Sequence, residues 1–277
     1  MNNQGPASVE FRSVFKRYGA VTAVDNVSFT VAPGTLVTLL GPSGCGKTTT
    51  LRLIAGLEIA SEGSILIGGQ DVTRLSAVER DVSMVFQSYA LFPHMTVLEN
   101  VAYGPSVSGI AKPRAREMAA EKLAMIGLSG FEARMPSELS GGQQQRVAVA
   151  RALVLEPKVL LFDEPLSNLD AKLRRRVREE IRELQRKLNL TVVYVTHDQQ
   201  EALAVSDRII VMSNAEIAQE GTPRELYQEP ANIFVAEFIG DANVIDAEVV
   251  AVRDGRASVR LGGIDFDLAD GAYIAIM

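Results

Sequence analysis

The chain has 277 residues, 47% of them apolar and 22% charged, and a net charge of −6. That length supports one large core with an appendage, and the acidic balance supplies no global basic field for nucleic acid. One cysteine and two distant histidines exclude an intramolecular disulfide and a thiolate zinc cluster and argue against a histidine-rich metal site.

No stretch approaches the roughly 20 apolar residues of a membrane span. The longest candidate, Val147 to Leu155, is short and carries Arg151. The opening residues lack the basic and apolar regions of a signal peptide. The expectation is a cytoplasmic chain that reaches a membrane only through other subunits.

From the N-terminus, residues 8–31 read as an antiparallel β unit. Val27, Phe29 and Val31 alternate with Ser28 and Thr30 at strand period. Tyr18 in this unit admits two readings: a flat face for a nucleobase, or a half-buried strand tyrosine. Pro33-Gly34 turns the chain into Leu36-Val37-Thr38-Leu39-Leu40, a short apolar run of buried-strand type.

The next nine residues are Gly41, Pro42, Ser43, Gly44, Cys45, Gly46, Lys47, Thr48 and Thr49. They fit G-x-x-x-x-G-K-[ST], and the helical stretch that follows completes the strand–loop–helix context this motif needs. The glycines let the backbone curl so that its N–H groups converge on an anion. The helix N-terminus adds the positive end of its dipole. Lys47 reaches β- and γ-phosphates, and the Thr48 hydroxyl can ligate Mg²⁺. The chain therefore binds a nucleoside triphosphate. Cys45 reads as a small filler of this loop.

Residues 63–69 read as a strand and turn. Val82 to Phe86 read as a strand ending at Gln87, which is either a loop residue or a side chain pointing into a ligand crevice. Residues 88–137 read as a helical insertion, with an apolar loop and helices near 96–108 and 113–127. Leu139-Ser140-Gly141-Gly142-Gln143 then opens a helix from Gln144 to Leu155. Ser140 is a natural N-cap. The glycines beside it bare backbone N–H groups, so this is either a well-capped helix or a second helix end suited to an anion.

Lys158 to Phe162 is a buried-type strand that runs into Asp163-Glu164-Pro165. A carboxylate at that strand tip holds Mg²⁺ beside a phosphate loop. Glu164, next along, suits a base that orients or deprotonates the attacking water. Asp170 caps a helix over 171–189 whose apolar face is Leu173, Val177, Ile181, Leu184 and Leu188. Its basic cluster, Arg174, Arg175, Arg176 and Arg178, reads as a solvated face. Thr191 to Val195 is a strand ending at Thr196-His197-Asp198, and His197 sits on the edge where ligands bind. A hairpin near 207–220 and helices near 222–228 and 231–239 follow. From Asn243 short hairpins resume, with an Arg253–Arg256 turn and a Gly262-Gly263 turn.

With GPSGCGKTT, Gln87, LSGGQQQR, VLLFDEP, SNLD and THD in that order, residues 8–238 resemble the ATP-binding subunits of ABC transporters. FQSYALFPHMTVLENV and the hairpins after 240 are similar to importer ATPases with a C-terminal β extension, which serve sugars, polyamines, ferric iron, sulfate or phosphonates. The resemblance implies an α/β fold. It has a P-loop NTPase core, an N-terminal antiparallel β unit and a helical insertion, over 1–240. A small β domain that looks incomplete follows over 241–277.

By the same resemblance Tyr18 stacks on adenine, Lys47 holds β- and γ-phosphates, and Thr48 with Asp163 holds Mg²⁺. Gln87 senses the metal or the attacking water, Glu164 is the general base, and His197 contacts the γ-phosphate. Ser140, Gly141, Gly142 and Gln143 bind ATP held by a second copy of the chain, with Asp170 at that interface. The loop 88–100 receives a short helix from a membrane subunit. The implied assembly is a homodimer on the cytoplasmic face of the inner membrane, with two integral membrane permease subunits, served indirectly by an extracytoplasmic solute-binding protein. The alternative is a soluble ABC-type ATPase acting on a macromolecular complex. A DNA-repair relative would place a long coiled coil between the two phosphate motifs, and a translation relative usually carries two cassettes. A GTPase would carry Asn-Lys-x-Asp, which does not occur.

Overall fold

The computed structural model describes residues 5–167, 169–240, 242–245, 247–253 and 256–269. Residues 1–4, 168, 241, 246, 254–255 and 270–277 lie outside the described residues, and the middle of the Arg253–Arg256 turn read from the sequence falls among them. The chain forms two compact units, Met1–Pro223 and Arg224–Met277.

The first unit begins with β1 (Val9–Tyr18), β2 (Val21–Val31), β3 (Leu36–Leu40), α1 (Lys47–Ala55), β4 (Glu62–Ile67), β5 (Gln70–Asp71) and β6 (Val82–Val85). The helices α2 (Val97–Val107), α3 (Lys112–Met125) and α4 (Gly141–Leu153) follow. The unit then runs through β7 (Val159–Asp163), α5 (Ala171–Leu188), β8 (Thr191–Thr196), α6 (Gln199–Val205), β9 (Arg208–Ser213) and β10 (Glu216–Gly221).

Two sheets result. One is antiparallel, in the order β2-β1-β4-β5, and the other has six strands in the order β10-β9-β3-β8-β7-β6. In the larger sheet β9, β3, β8, β7 and β6 are mutually parallel. All five residues of β3 and all six of β8 are buried, as expected of parallel strands covered on both faces.

One core lies between the two sheets and α1, and includes Phe11, Phe29, Leu39, Leu51, Ile54, Val195 and Ile210. A second packs α4 and α5 on the other face of the large sheet, through Val149, Leu153, Leu160, Phe162, Val177, Ile181 and Tyr194. A third belongs to the helical insertion and joins Val97, Val101, Ala115, Ala119 and Leu123 to Leu139, Val147 and Ala150. Helix α4 is therefore shared: Ala148 and Val149 face the sheet, and Val147 and Ala150 face the insertion.

Helix α4 begins at Gly141, three residues earlier than the sequence suggested. Ser140 accepts from the Gln143 N–H while the Gln143 side chain accepts from the Ser140 N–H. This capping box outweighs the poor helix propensity of two glycines.

The second unit contains α8 (Ile233–Ile239), preceded by α7 (Pro223–Gln228) at its start, and an antiparallel sheet. That sheet comprises β11 (Glu248–Arg253), β12 (Arg256–Leu261) and β13 (Ile264–Ala269), in the order β11-β12-β13. The division falls before the boundary at 240 read from the sequence. A Cβ at Gly240 would meet the Tyr227 ring at 3.3 Å, so the end of α8 packs back on α7.

Candidate functional site

The parallel register brings the predicted residues to one edge. Leu40 pairs with Thr196, Asp163 with Val195, and Val85 with Phe162. The phosphate loop, Gln87, Asp163, Glu164 and His197 therefore all leave the sheet at the carboxyl ends of adjacent strands, where open α/β sheets place ligands.

The loop 41–46 is tightly built. Gly46 has φ +103°, and a Cβ there would lie 2.4 Å from the Ala23 carbonyl oxygen, so no other residue fits without a shift of backbone. Cys45 is buried, with its Sγ 3.8 Å from Lys47 Nζ. The Lys47 ammonium is also buried and donates to the carbonyls of Gly41 and Pro42, each at 2.8 Å. It thus crosses the cradle formed by its own loop. The Gly46 carbonyl accepts from the Thr50 N–H and starts α1 directly at Lys47, so the loop and the positive end of the helix are continuous.

Thr48 Oγ1 lies 3.4 Å from Asp163 Oδ1. Two hard oxygen donors converging from a helix start and a strand tip are the donor type that Mg²⁺ takes. Burial pushes the Asp163 carboxyl above its ordinary value and Glu164 adds to this, against the Thr48 hydroxyl and the cations Arg52 and Lys47.

Glu164 takes up a left-handed backbone, φ +44°. Its N–H donates to the Val195 carbonyl at 3.0 Å, and its own carbonyl accepts from Ser167. This twist turns its carboxylate toward His197, whose Nδ1 is 3.1 Å from Glu164 Oε2. Gln87 Nε2 donates to Ser167 Oγ at 3.2 Å, so the turn after Glu164 also holds the glutamine.

Tyr18 ends β1 with its ring 45% exposed and the Lys16 ammonium 4.6 Å from its centroid. This half-exposed position at a strand end fits both the half-buried strand tyrosine and a face open to a nucleobase. Burial of its hydroxyl and a hydrogen bond to Glu58 raise its pKa.

Ser140, Gly141, Gly142 and Gln143 are not part of this cluster. They start α4, whose first turn follows Leu139 of the helical-insertion core, whereas Leu39 and Leu51, flanking the phosphate loop, belong to the core between the sheets. Asp170 caps α5 by accepting from the Leu173 N–H at 3.0 Å.

Two arginines organise the site without a mark in the sequence. Arg151 of α4 donates to the carbonyls of Tyr89 and Ala90 at 2.8 and 2.7 Å, holding the loop after Gln87 where both residues have positive φ. Arg174 does not lie on a solvated face. It bonds the Leu169 carbonyl and pairs with Asp198 and Glu201. Arg175 and Arg176 are exposed, as the sequence suggested.

Among the described residues, no helix is long and apolar enough to cross a membrane. Residues 24–167 match the family model for ABC transporters, and residues 132–204 also match a model for an AAA domain described as a putative AbiEii toxin of a type IV toxin–antitoxin system. The chain is 67% identical over 263 residues to the Fe(3+) ions import ATP-binding protein FbpC of Rhizobium etli, spanning 95% of this chain and 74% of that protein. The protein of that name from Escherichia coli O157:H7 is 59% identical over 86% of this chain and 69% of its own length. Among solved structures, cbiO1 from Clostridium perfringens, part of the ABC transporter complex cbiONQ, matches with a TM-score of 0.73 at 26% identity, covering 79% of this chain and 89% of that one. The dimeric structure of MJ0796, a bacterial ABC transporter cassette, matches with a TM-score of 0.69 at 33% identity, covering 78% and 99%.

Proposed function

The chain belongs to the ABC transporter family of ATP-binding subunits, and from there we propose that it hydrolyses ATP clasped between two copies of itself to drive ferric iron import. It is an ATPase coupled to transport. The ferric reading is supported by 67% identity across 95% of the chain to an Fe(3+) import protein. The same likeness favours transport over action on a macromolecular complex.

The clasp is supported by the separation of the two anion-seeking helix ends. Lys47 stands between Leu39 and Leu51 of the core between the sheets, while Ser140 follows Leu139 of the helical-insertion core. A 33% identical cassette described as dimeric points the same way. In this reading the lysine cradle of one chain and the Ser140-Gly141-Gly142-Gln143 tip of the other close on one triphosphate, with Asp170 at the seam and Tyr18 under the adenine.

Each residue then has a physical task. Lys47 exchanges two loop carbonyls for β- and γ-phosphate oxygens. Thr48 and Asp163 would hold Mg²⁺, which neutralises charge on the phosphates when bound. The Glu164 carboxylate takes a proton from the attacking water. His197 holds that carboxylate by its Nδ1 and leaves its other ring nitrogen for the γ-phosphate. Gln87 orients the water or the metal and, held by Ser167, moves with the turn that carries Glu164. The loop 88–100 receives a permease helix, and the complex sits on the cytoplasmic face of the membrane with an extracytoplasmic binding protein delivering solute.

The test is the chain assembled with its permease subunits in liposomes, with the extracytoplasmic binding protein present. Ferric iron stimulates ATP hydrolysis, and sulfate, a hexose disaccharide and spermidine do not. Equal stimulation by any of these three overturns the ferric assignment.

A further inference from the structure

We propose that Arg174 is a positioning residue that couples the two ATP sites of the dimer, by tying the start of α4 in each chain to the Glu164–His197 pair of that chain. The proposal rests on the two-chain clasp described above. In such a clasp, Ser140 of a chain serves one ATP and Glu164 of the same chain serves the other.

Arg174 stands one turn into α5, and its N–H donates to the Asp170 carbonyl at 2.8 Å. Its side chain folds back. Nη2 donates to the Leu169 carbonyl at 3.2 Å, Nη1 reaches Asp198 Oδ2 at 3.4 Å, and Nε lies 3.6 Å from Glu201 Oε1. That Nε is buried and makes no hydrogen bond, so charge alone holds it to Glu201.

On one side of the guanidinium is the start of α4. The Leu169 side chain is buried, and a Cβ on Gly141 would meet it at 3.1 Å. The Leu169 side chain thus fills the space beside the Gly141 backbone, so in this proposal a shift of the α4 start toward it moves Leu169 and the carbonyl that Arg174 holds. On the other side is the base pair of the site. Glu201 Oε2 accepts from the Thr196 hydroxyl at 2.8 Å and from the Tyr194 hydroxyl at 3.2 Å. Asp198 caps α6 by accepting from the Glu201 N–H, and its own N–H donates to Thr196 Oγ1 at 3.0 Å. His197 is thus bracketed by two residues that this network fixes, and it faces Glu164 at 3.1 Å.

The geometry explains why arginine is used. Three partners lie in three directions, and the five donors of a planar guanidinium can reach them together, where an ammonium offers one point charge. The contacts at 3.4 and 3.6 Å are long for hydrogen bonds.

The test compares wild type, Arg174→Met, Arg174→Lys and Glu201→Gln for monomer ATP binding, and for kcat, KM and the Hill coefficient of ATP hydrolysis. Arg174→Met is expected to leave monomer ATP binding and KM within about threefold, to lower kcat about tenfold, and to bring a Hill coefficient of about 2 down to about 1. Arg174→Lys regains thermal stability but not the Hill coefficient. Glu201→Gln combined with Arg174→Met costs no more than the larger single change, as expected for one network. Wild-type kcat and cooperativity in Arg174→Met overturn the proposal, as does full rescue by lysine or loss of monomer ATP binding. A wild-type chain that hydrolyses ATP without cooperativity as a monomer would instead defeat the clasp itself.

Discussion

Glu164 carries a backbone strain that substitution can measure. At φ +44° an L-residue costs about 1–2 kcal/mol relative to its usual regions, and glycine costs nothing there. The side chain contributes little to folding in return. Among the described residues its side-chain partner is His197, which is 58% exposed, and such an exposed polar contact contributes about 0–1 kcal/mol. The N–H bond from residue 164 to the Val195 carbonyl survives any substitution except proline. Glu164→Ala removes the contact with His197 and keeps the strain, whereas Glu164→Gly removes both.

The glycine variant is therefore expected to be more stable than the alanine variant by about 1 kcal/mol. At an ordinary strand or helix position the order is reversed, with glycine worse by roughly 0.5–1 kcal/mol. Equilibrium urea unfolding followed by circular dichroism reads the difference. With a slope of about 3 kcal/mol per molar, the glycine midpoint lies about 0.3 M above the alanine midpoint. Both variants lose at least ~10²-fold in hydrolysis, as removal of a general base commonly does. Alanine more stable than glycine would refute the left-handed backbone, and with it the view that folding energy is spent to aim this carboxylate.

Tyr18→Ala should raise the Kd for ATP about tenfold, as loss of one base–aromatic stack does, while Tyr18→Phe leaves it unchanged; equal loss in both variants would mean that the hydroxyl, not the ring, matters. Because burial raises the pKa of Asp163, protons compete with Mg²⁺ at pH values above the ordinary carboxylate range. The Mg²⁺ concentration for half-maximal hydrolysis should rise as pH falls through that raised pKa and level off above it; a requirement flat down to the ordinary range contradicts the buried ligand. Burial works against the charge of Asp207, but Arg182 and the Leu36 N–H outweigh it and hold its pKa low. Arg182→Met should therefore destabilise the fold by about 1–2 kcal/mol at neutral pH, allowing for the partial exposure of Asp207. That stability is present above the unfolded carboxylate pKa and is lost as pH falls through the depressed folded one, so the gap from wild type in urea midpoint closes in acid; a gap constant with pH would exclude the ion pair as its cause.

Much of this site could be read before any coordinates. A continuous apolar run ending in a polar tip marks a buried parallel strand, so β3, β7 and β8 and the residues at their ends were visible together. Ser140 marked a helix start as an N-cap, although the glycines drew the predicted start of that helix three residues late and the partner role of Gln143 was not read. What escaped depends on neighbours that only the topology supplies. The arginines at 174, 175, 176 and 178 look alike in sequence, yet Arg174 and Arg178 turn toward α6, Arg178 onto the Gln200 carbonyl, and only Arg174 also holds the Leu169 carbonyl among the described contacts. Arg151 looked like an interruption of an apolar run, yet it holds two carbonyls more than sixty positions upstream. Positive φ at Glu164, Tyr89 and Ala90 leaves no trace, because left-handed backbone is signalled by glycine or asparagine and none stands there. The helices 223–228 and 233–239 looked like the close of the first unit, and their packing through Tyr227 and Gly240 was not visible in periodicity.

The clasp is tested most directly by sedimentation of Glu164→Gln with Mg²⁺ and ATP, with and without Ser140→Arg. The first protein should sediment as a dimer holding two nucleotides. The second should sediment as a monomer that still holds one ATP per chain, because the arginine blocks only the partner's nucleotide. A monomer that has lost its ATP would place Ser140 in the same chain's site and contradict the account.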